Sequence, residues 1–143
     1  MIKNIKKIYI RYAEVINYLI FGVLTTIVSL VTYYLCVFTF LNPENAFELQ
    51  LANILSWIFA VIFAYLTNRK YVFKSNEKDK LKEGIKFFTS RLLTLGIDMF
   101  VMFLGVTILN LNNKIIKLVS QILVIVGNYV FSRLFVFKKT DNN

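Results

Sequence analysis

The chain has 143 residues, of which 57% are hydrophobic, and it carries a net charge of +9 with no histidine and one cysteine. This apolar content exceeds the roughly 45–50% usual for soluble domains, so a soluble fold is excluded. The absence of histidine removes the commonest general base and most zinc sites. A lone Cys36 excludes an intramolecular disulfide. We therefore expect no catalytic residues, no metal and no cofactor.

Residues 2–12 carry isoleucines and tyrosines at helical spacing, with basic residues between them. This pattern is typical of a short helix lying at a membrane surface. A frayed basic tail is the alternative that the pattern leaves open.

Four apolar stretches then follow, each long enough to cross a bilayer, since about 20 apolar residues suffice. They cover residues 18–40, 49–67, 87–109 and 115–135, and Asp98 interrupts the third. The first is too long for a signal peptide, and no small-residue cleavage site follows it. The sequence therefore predicts an all-α integral membrane protein with four transmembrane helices.

The basic residues orient these spans. Four precede the first span, eight lie in the middle loop and at the start of the third span (Arg91 is the last of them), three follow the core of the fourth, and only Lys114 and Lys117 lie around the turn between the third and fourth. The loop between the first two spans has none. By the positive-inside rule, both termini and the middle loop are predicted to be cytoplasmic. Charges confined to the ends of apolar runs favour anionic lipid, and not nucleic acid, as the partner.

The chain contains an internal repeat. Residues 64–74 align without a gap on residues 128–138, and in both copies an arginine is followed, after two residues, by Val-Phe-Lys. Each half contains two spans, so both halves run in the same direction, which predicts a parallel repeat with its pseudo-twofold axis along the membrane normal. We expect one domain, residues 1–143, built from helical hairpins at about 12–74 and 85–138.

The repeat predicts that Arg69 and Arg133 both lie at the cytoplasmic face. Arginine is the residue best suited to bidentate phosphate binding, so matched arginines indicate an anionic ligand at that face. The alternative for a single arginine is that it only reaches the lipid headgroups.

Polar residues inside the spans are the other candidates. A charged residue in the membrane, here Asp98, is a functional hypothesis by default. Gln121 and Asn128 lie seven residues apart on one helix face, and Ser56 and Ser120 occupy equivalent places in the repeat. Hydrogen bonding between helices is the alternative explanation for such residues.

These features resemble the GtrA-like membrane proteins over about residues 12–138. The resemblance rests on the repeated motif at the span ends and on Arg11-Tyr12, Gly22 and Arg91. It implies a multi-pass protein of the bacterial cytoplasmic membrane. Proteins of this family are thought to move a polyprenyl-phosphate-linked monosaccharide to the outer leaflet. A glycosyltransferase there uses the sugar to decorate O-antigen, teichoic acid or another envelope glycan.

Carried over residue by residue, the motif falls on Asn68, Arg69, Val72 and Phe73 in the first copy and on Asn128, Tyr129, Ser132, Arg133, Val136 and Phe137 in the second. The chain departs from the family pattern at Ala64 and Ser132, where asparagine is usual or frequent, and at Ser29, where an acidic residue is common. These departures concentrate the polar residues in the second hairpin.

The resulting hypothesis is a flippase. Arg69 and Arg133, with Lys70, Arg91 and Asn68, would hold the lipid phosphate, and Asp98, Asn128, Gln121, Ser56 and Ser120 would line a groove for the sugar. The implied partners are the lipid-linked sugar, membrane lipids and glycosyltransferases of the same pathway.

Two other functions stay open: a non-transporting subunit that supports a glycosyltransferase, and a small multidrug-type exporter. Because four short spans enclose little space, we also expect a homo-oligomer, most simply a dimer.

Overall fold

The computed structural model describes residues 1–137, and all the regular elements in that part of the chain are helices joined by short turns, without a strand. Lys138, Lys139 and the predicted end of the second repeat lie outside the described residues. The four α-helices are α1 (Ile2–Thr39), α2 (Ala46–Thr67), α3 (Lys80–Met102) and α4 (Asn113–Phe131). Three of them continue into π-helical segments, Asn68–Val72 after α2, Phe103–Ile108 after α3 and Ser132–Val136 after α4.

All four helical stretches are long and apolar enough to cross a membrane. The shortest, Asn113–Val136, has 24 residues, which corresponds to about 36 Å at 1.5 Å per residue and exceeds a hydrocarbon core of about 30 Å. Most of their large apolar side chains are exposed, as expected for surfaces that face lipid. The predicted four-span, all-α fold is therefore confirmed, while the cytoplasmic position of the termini stays a prediction.

Two of the predicted boundaries differ from the structure. The segment predicted as a separate surface helix is helical but continuous with α1, and the backbone leaves helical geometry at Tyr12, where φ is −115° and ψ is 22°. Helix α3 begins at Lys80, seven residues before the predicted span, because the Asp79 side chain caps it by accepting a hydrogen bond from Lys82 N at 3.0 Å.

The packing divides the chain into two compact units, the first being Met1–Lys74 and the second beginning at Ser75. In the first unit α1 packs against α2. Small residues recur every fourth position along the buried face of α2, at Ala52, Ser56, Ala60 and Ala64. Small side chains at this spacing let two membrane helices approach closely.

In the second unit α3 packs against α4. The buried face of α3 carries Glu83, Phe87, Ser90 and Thr94, and Ser75 Oγ donates a hydrogen bond to the Glu83 carboxylate at 2.6 Å. Gly105, in the π-helical segment after α3, is buried, and a Cβ there would lie 2.7 Å from Ile116 Cγ2. The hairpin is therefore tightest near the turn that joins its two helices.

Five repeat-equivalent pairs are buried in both units. They are Tyr18 and Phe87, Ser56 and Ser120, Asn68 and Ser132, Val72 and Val136, and Phe73 and Phe137. Both motif copies also form the same π-helical turn, in which Phe73 N donates to Asn68 O and Phe137 N donates to Ser132 O, each at 2.8 Å. The exact limits of the repeats stay a prediction.

Candidate functional site

The π-helical segment in each copy of the repeated motif begins with a buried polar side chain. Asn68 is buried, and its Nδ2 donates to Ala64 O at 2.6 Å. Its Oδ1 has no hydrogen-bond partner within residues 1–137, and neither does the Oγ of the fully buried Ser132. Buried polar atoms without a partner are exceptional, and π-helical turns occur frequently at functional sites. Both features make Asn68 and Ser132 candidates for contact with a ligand.

One cation of the first motif copy lies beside an aromatic ring. Arg69 is half-buried and Lys70 is exposed. The Lys70 ammonium lies 5.2 Å from the centre of the Tyr71 ring, which stacks on Phe21 at 5.1 Å. The ring contacts hold this end of α2 against α1, so the basic side chains are presented from a fixed backbone.

The second unit has its own pair of arginines. Arg133 is exposed, and its Nη1 donates to the Tyr129 hydroxyl at 3.4 Å. Arg91 is half-buried, and its guanidinium carbon lies 4.3 Å from the centre of the Phe87 ring. The predicted phosphate ligands thus fall into one set in each unit. That Arg69 and Arg133 meet at one membrane face stays a prediction.

A hydrogen bond joins α3 to α4 about one helical turn after Arg91. Thr94 Oγ1 donates to Asn128 Oδ1 at 2.6 Å and lies 3.0 Å from Arg91 O. Gly127 lies beside this link, and a Cβ there would be 3.4 Å from Thr94 Cγ2, an ordinary contact distance. In the first unit the equivalent Thr25 bonds only to the Phe21 carbonyl of its own helix, at 2.7 Å, because Ala64 replaces the asparagine.

Asp98 belongs to a cluster of three side chains, Asp98, Lys117 and Ser120, which we name the Asp98 cluster. Lys117 Nζ donates to Asp98 Oδ1 at 3.1 Å and to Oδ2 at 3.0 Å, and Ser120 Oγ donates to Oδ1 at 2.5 Å. Ser120 is fully buried, whereas the Lys117 side chain is 48% exposed and that of Asp98 is 18% exposed. The charge of Asp98 is thus neutralised by Lys117, whose own side chain remains partly exposed.

The other two groove candidates have different surroundings. Gln121 is exposed on α4. Ser56 is buried in the first unit, and its hydroxyl donates to the Asn53 carbonyl of its own helix at 2.8 Å. Within the second unit the structure therefore brings Asp98 and Ser120 together and gives Asn128 a separate link to Thr94.

Sequence reasoning missed Lys117 and Thr94 as site residues. The charge pattern groups Lys117 with Lys114 as a basic residue between the last two spans, although Lys117 falls inside the fourth apolar stretch. A lysine at that depth, in the helix that follows an intramembrane aspartate, was the available signal, since such charges commonly pair. Thr94 gave no signal beyond its alignment with Thr25.

A family model described as "GtrA/DPMS, transmembrane domain" matches residues 17–137. The chain belongs to this family. The resemblance inferred from the repeated motif is therefore confirmed, and the protein is a multi-pass bacterial membrane protein, as the sequence predicted.

Named relatives cover most of the chain. A "Cell wall teichoic acid glycosylation protein GtcA" of Listeria monocytogenes is 38% identical over 128 residues, which is 87% of this chain and 85% of the relative. The protein of the same name in Listeria innocua is also 38% identical, over the same shares. An "Uncharacterized membrane protein YwcD" of Bacillus subtilis is 40% identical over 126 residues, or 86% and 95% of the two chains. No solved structure matches the chain.

Proposed function

We propose that the chain is a flippase that moves a polyprenyl-phosphate-linked monosaccharide across the bacterial cytoplasmic membrane for glycosylation of a cell-wall polymer, most directly teichoic acid. The observation that carries this proposal is a series of polar groups along the whole second hairpin. The series runs from Arg133 and Arg91, through Thr94 and Asn128, to the Asp98 cluster.

The spacing of this series suits passage of a headgroup. Along α4 and the π-helical segment that follows it, the step from Arg133 to Asn128 is five residues, about 8 Å. The step from Asn128 to Ser120 is eight residues, about 12 Å. Each step is comparable to the size of a sugar phosphate, so the headgroup would exchange one set of hydrogen bonds for the next. The otherwise apolar, exposed helix surfaces leave the prenyl chain in lipid throughout.

Each group has a role that its chemistry supports. Arg91 and Arg133, with Arg69, Lys70 and Asn68 of the first unit, bind the phosphate at the predicted cytoplasmic face, because guanidinium groups bind phosphate oxygens bidentately. Asn128, Ser120 and Asp98 offer acceptors and donors for sugar hydroxyls. Gln121 and Ser56 remain candidates for the same groove. Passage follows the gradient between synthesis inside and consumption outside, and no catalytic step or cofactor forms part of the proposal.

The name of the Listeria relatives supports the teichoic acid assignment, because it places those proteins in cell-wall teichoic acid glycosylation. The same name fits a non-transporting subunit that supports a glycosyltransferase. The test must therefore distinguish transport by the protein alone from support of a glycosyltransferase. An exporter of cations is disfavoured, because the intramembrane carboxylate such exporters need for proton exchange is already bonded to Lys117 and Ser120.

The test is leaflet exchange in liposomes that contain only the purified protein. A fluorescent polyprenyl-phosphate sugar is incorporated into both leaflets, and an impermeant reductant bleaches the outer one. We expect the protected inner fraction to decay when the protein is present and to persist in empty liposomes. The same label on a polyprenol without phosphate is the control for unspecific leakage. Folded protein without exchange would refute the flippase and favour the subunit, and cross-linking in the same liposomes tests the predicted dimer.

A further inference from the structure

The two hairpins differ at one place in a way that isolates the Asp98 cluster. In the alignment of the repeat, Asp98, Lys117 and Ser120 correspond to Ser29, Asn53 and Ser56, which carry no charge. Both hairpins nevertheless pack their two helices together and bury the equivalent serine. The hairpin fold therefore forms without an ion pair at this position.

Stability does not explain the pair either. An aspartate within a membrane span is costly, and an ion pair whose lysine is 48% exposed contributes little to stability. A pair that adds little stability, and that the first hairpin lacks, indicates a ligand. Its exposure points the same way, because the Lys117 side chain is 48% exposed while Asp98 is 18% exposed and bonded to the buried Ser120.

The ammonium group retains capacity for a ligand. An ammonium has three donors, and two bonds from Lys117 Nζ go to the Asp98 oxygens at 3.1 and 3.0 Å. The ligand class follows from the charge: a cation at this depth binds an anion with oxygen acceptors.

The position of Lys117 on α4 completes the argument. Lys117 and Arg133 lie 16 residues apart on the same helical stretch, about 24 Å along its axis. This separation approaches the thickness of the hydrocarbon core, about 30 Å. One stretch thus carries a cation near each membrane surface, and Lys117 lies near the turn opposite the predicted cytoplasmic end.

We propose that Lys117 is a second phosphate contact, used at the far end of the passage, and that Asp98 keeps its affinity for phosphate low. The phosphate oxygen takes the third ammonium donor while Asp98 retains the other two, and the nearby carboxylate repels the arriving anion. A weak contact releases the lipid, whereas a lysine without its carboxylate would hold it. This inference rests on the proposed function, because it assigns the phosphate of the same lipid-linked sugar to a second site.

The test compares binding of undecaprenyl phosphate by the full chain in nanodiscs, with undecaprenol as the reference lipid. Binding variants are made in an Arg69→Ala, Arg133→Ala background, so that binding at the predicted cytoplasmic end does not mask the far-end contact. The double variant Asp98→Ser with Lys117→Asn carries the residues of the first hairpin and should fold as the wild type does. We expect it to bind about tenfold more weakly, the loss of one charge-assisted hydrogen bond. Asp98→Asn should bind severalfold more tightly yet exchange the lipid more slowly in liposomes.

Lys114→Asn is the control for loss of a basic side chain at this end of α4, because it removes an exposed lysine three residues before Lys117. It should change binding less than twofold. Equal losses of phosphate binding in the double variant and in Lys114→Asn, or unchanged binding in Asp98→Asn, would overturn the second contact. Lipid exchange by the wild-type protein would in that case still support the flippase. Wild-type protein that does not distinguish the phosphate from the alcohol would overturn both proposals.

Discussion

Replacement of Gly105 by alanine tests the packing of the second hairpin at its tightest point. A Cβ at Gly105 would lie 2.7 Å from Ile116 Cγ2 and 2.9 Å from both Cγ1 and Cδ1. Three contacts under 3.0 Å require Ile116 or the backbone to move, and overpacking of this kind typically costs about 1–3 kcal/mol. The gain in helix propensity from glycine to alanine, about 1 kcal/mol at most, offsets part of this cost.

The matched control is Gly96→Ala in α3. Nothing lies within 4 Å of a Cβ at Gly96, so only the favourable propensity change remains. We expect Gly105→Ala to lower the midpoint of thermal unfolding in detergent by a few degrees, while Gly96→Ala leaves it equal or higher. Ile116→Val, which removes one of the clashing methyl groups, should restore part of the loss.

Equal midpoints for the two alanine variants would refute this reasoning. They would mean that the segment after α3 does not approach α4 at Ile116. The register that also brings Asp98 to Lys117 would then lose its support.

Two further predictions concern other parts of the chain. A double-mutant cycle of Thr94→Val and Asn128→Ala should give a coupling free energy of about 0.6 kcal/mol and at most about 1.7 kcal/mol, the range for hydrogen bonds between membrane helices; additive losses of stability would contradict the 2.6 Å link. In a Cys36→Ala background, single cysteines at Ile5 and Lys7 lie on opposite faces of the helical segment before the kink, about 160° apart. In vesicles with anionic lipid the cysteine at Ile5 should react slowly with an impermeant maleimide and the one at Lys7 quickly, and equal rates would argue against a helix lying on the membrane surface.

The helices could be predicted from the sequence because a membrane span needs a minimum length and an apolar composition, and both can be seen in the sequence. The repeat could also be predicted, because the motif at the ends of α2 and α4 occurs twice in the same order. The start of α3 at Lys80 was missed because a polar helix extending from the membrane has no apolar signature, only the cap at Asp79.

The contacts of the candidate site were harder to predict, because they depend on the register between neighbouring helices. Periodicity placed Asp98 on a face of α3, but which residue of α4 lies opposite is set by the turn and by the close approach at Gly105. The pairing of Asp98 with Lys117 therefore became visible only in the structure. The π-helical turns at Asn68 and Ser132 were likewise not predicted, since their sequence also fits an α-helix.

Leaflet exchange by variants of the second hairpin tests the central claim most directly. Arg133→Ala and Asp98→Asn are reconstituted beside wild-type protein and Gly96→Ala, with equal amounts of folded protein in each liposome preparation. The polar series predicts exchange of the polyprenyl-phosphate sugar by wild type and Gly96→Ala, and a loss of at least about tenfold for Arg133→Ala from one charge-assisted contact. Exchange by Arg133→Ala and Asp98→Asn at the wild-type rate would contradict the proposed path along this hairpin.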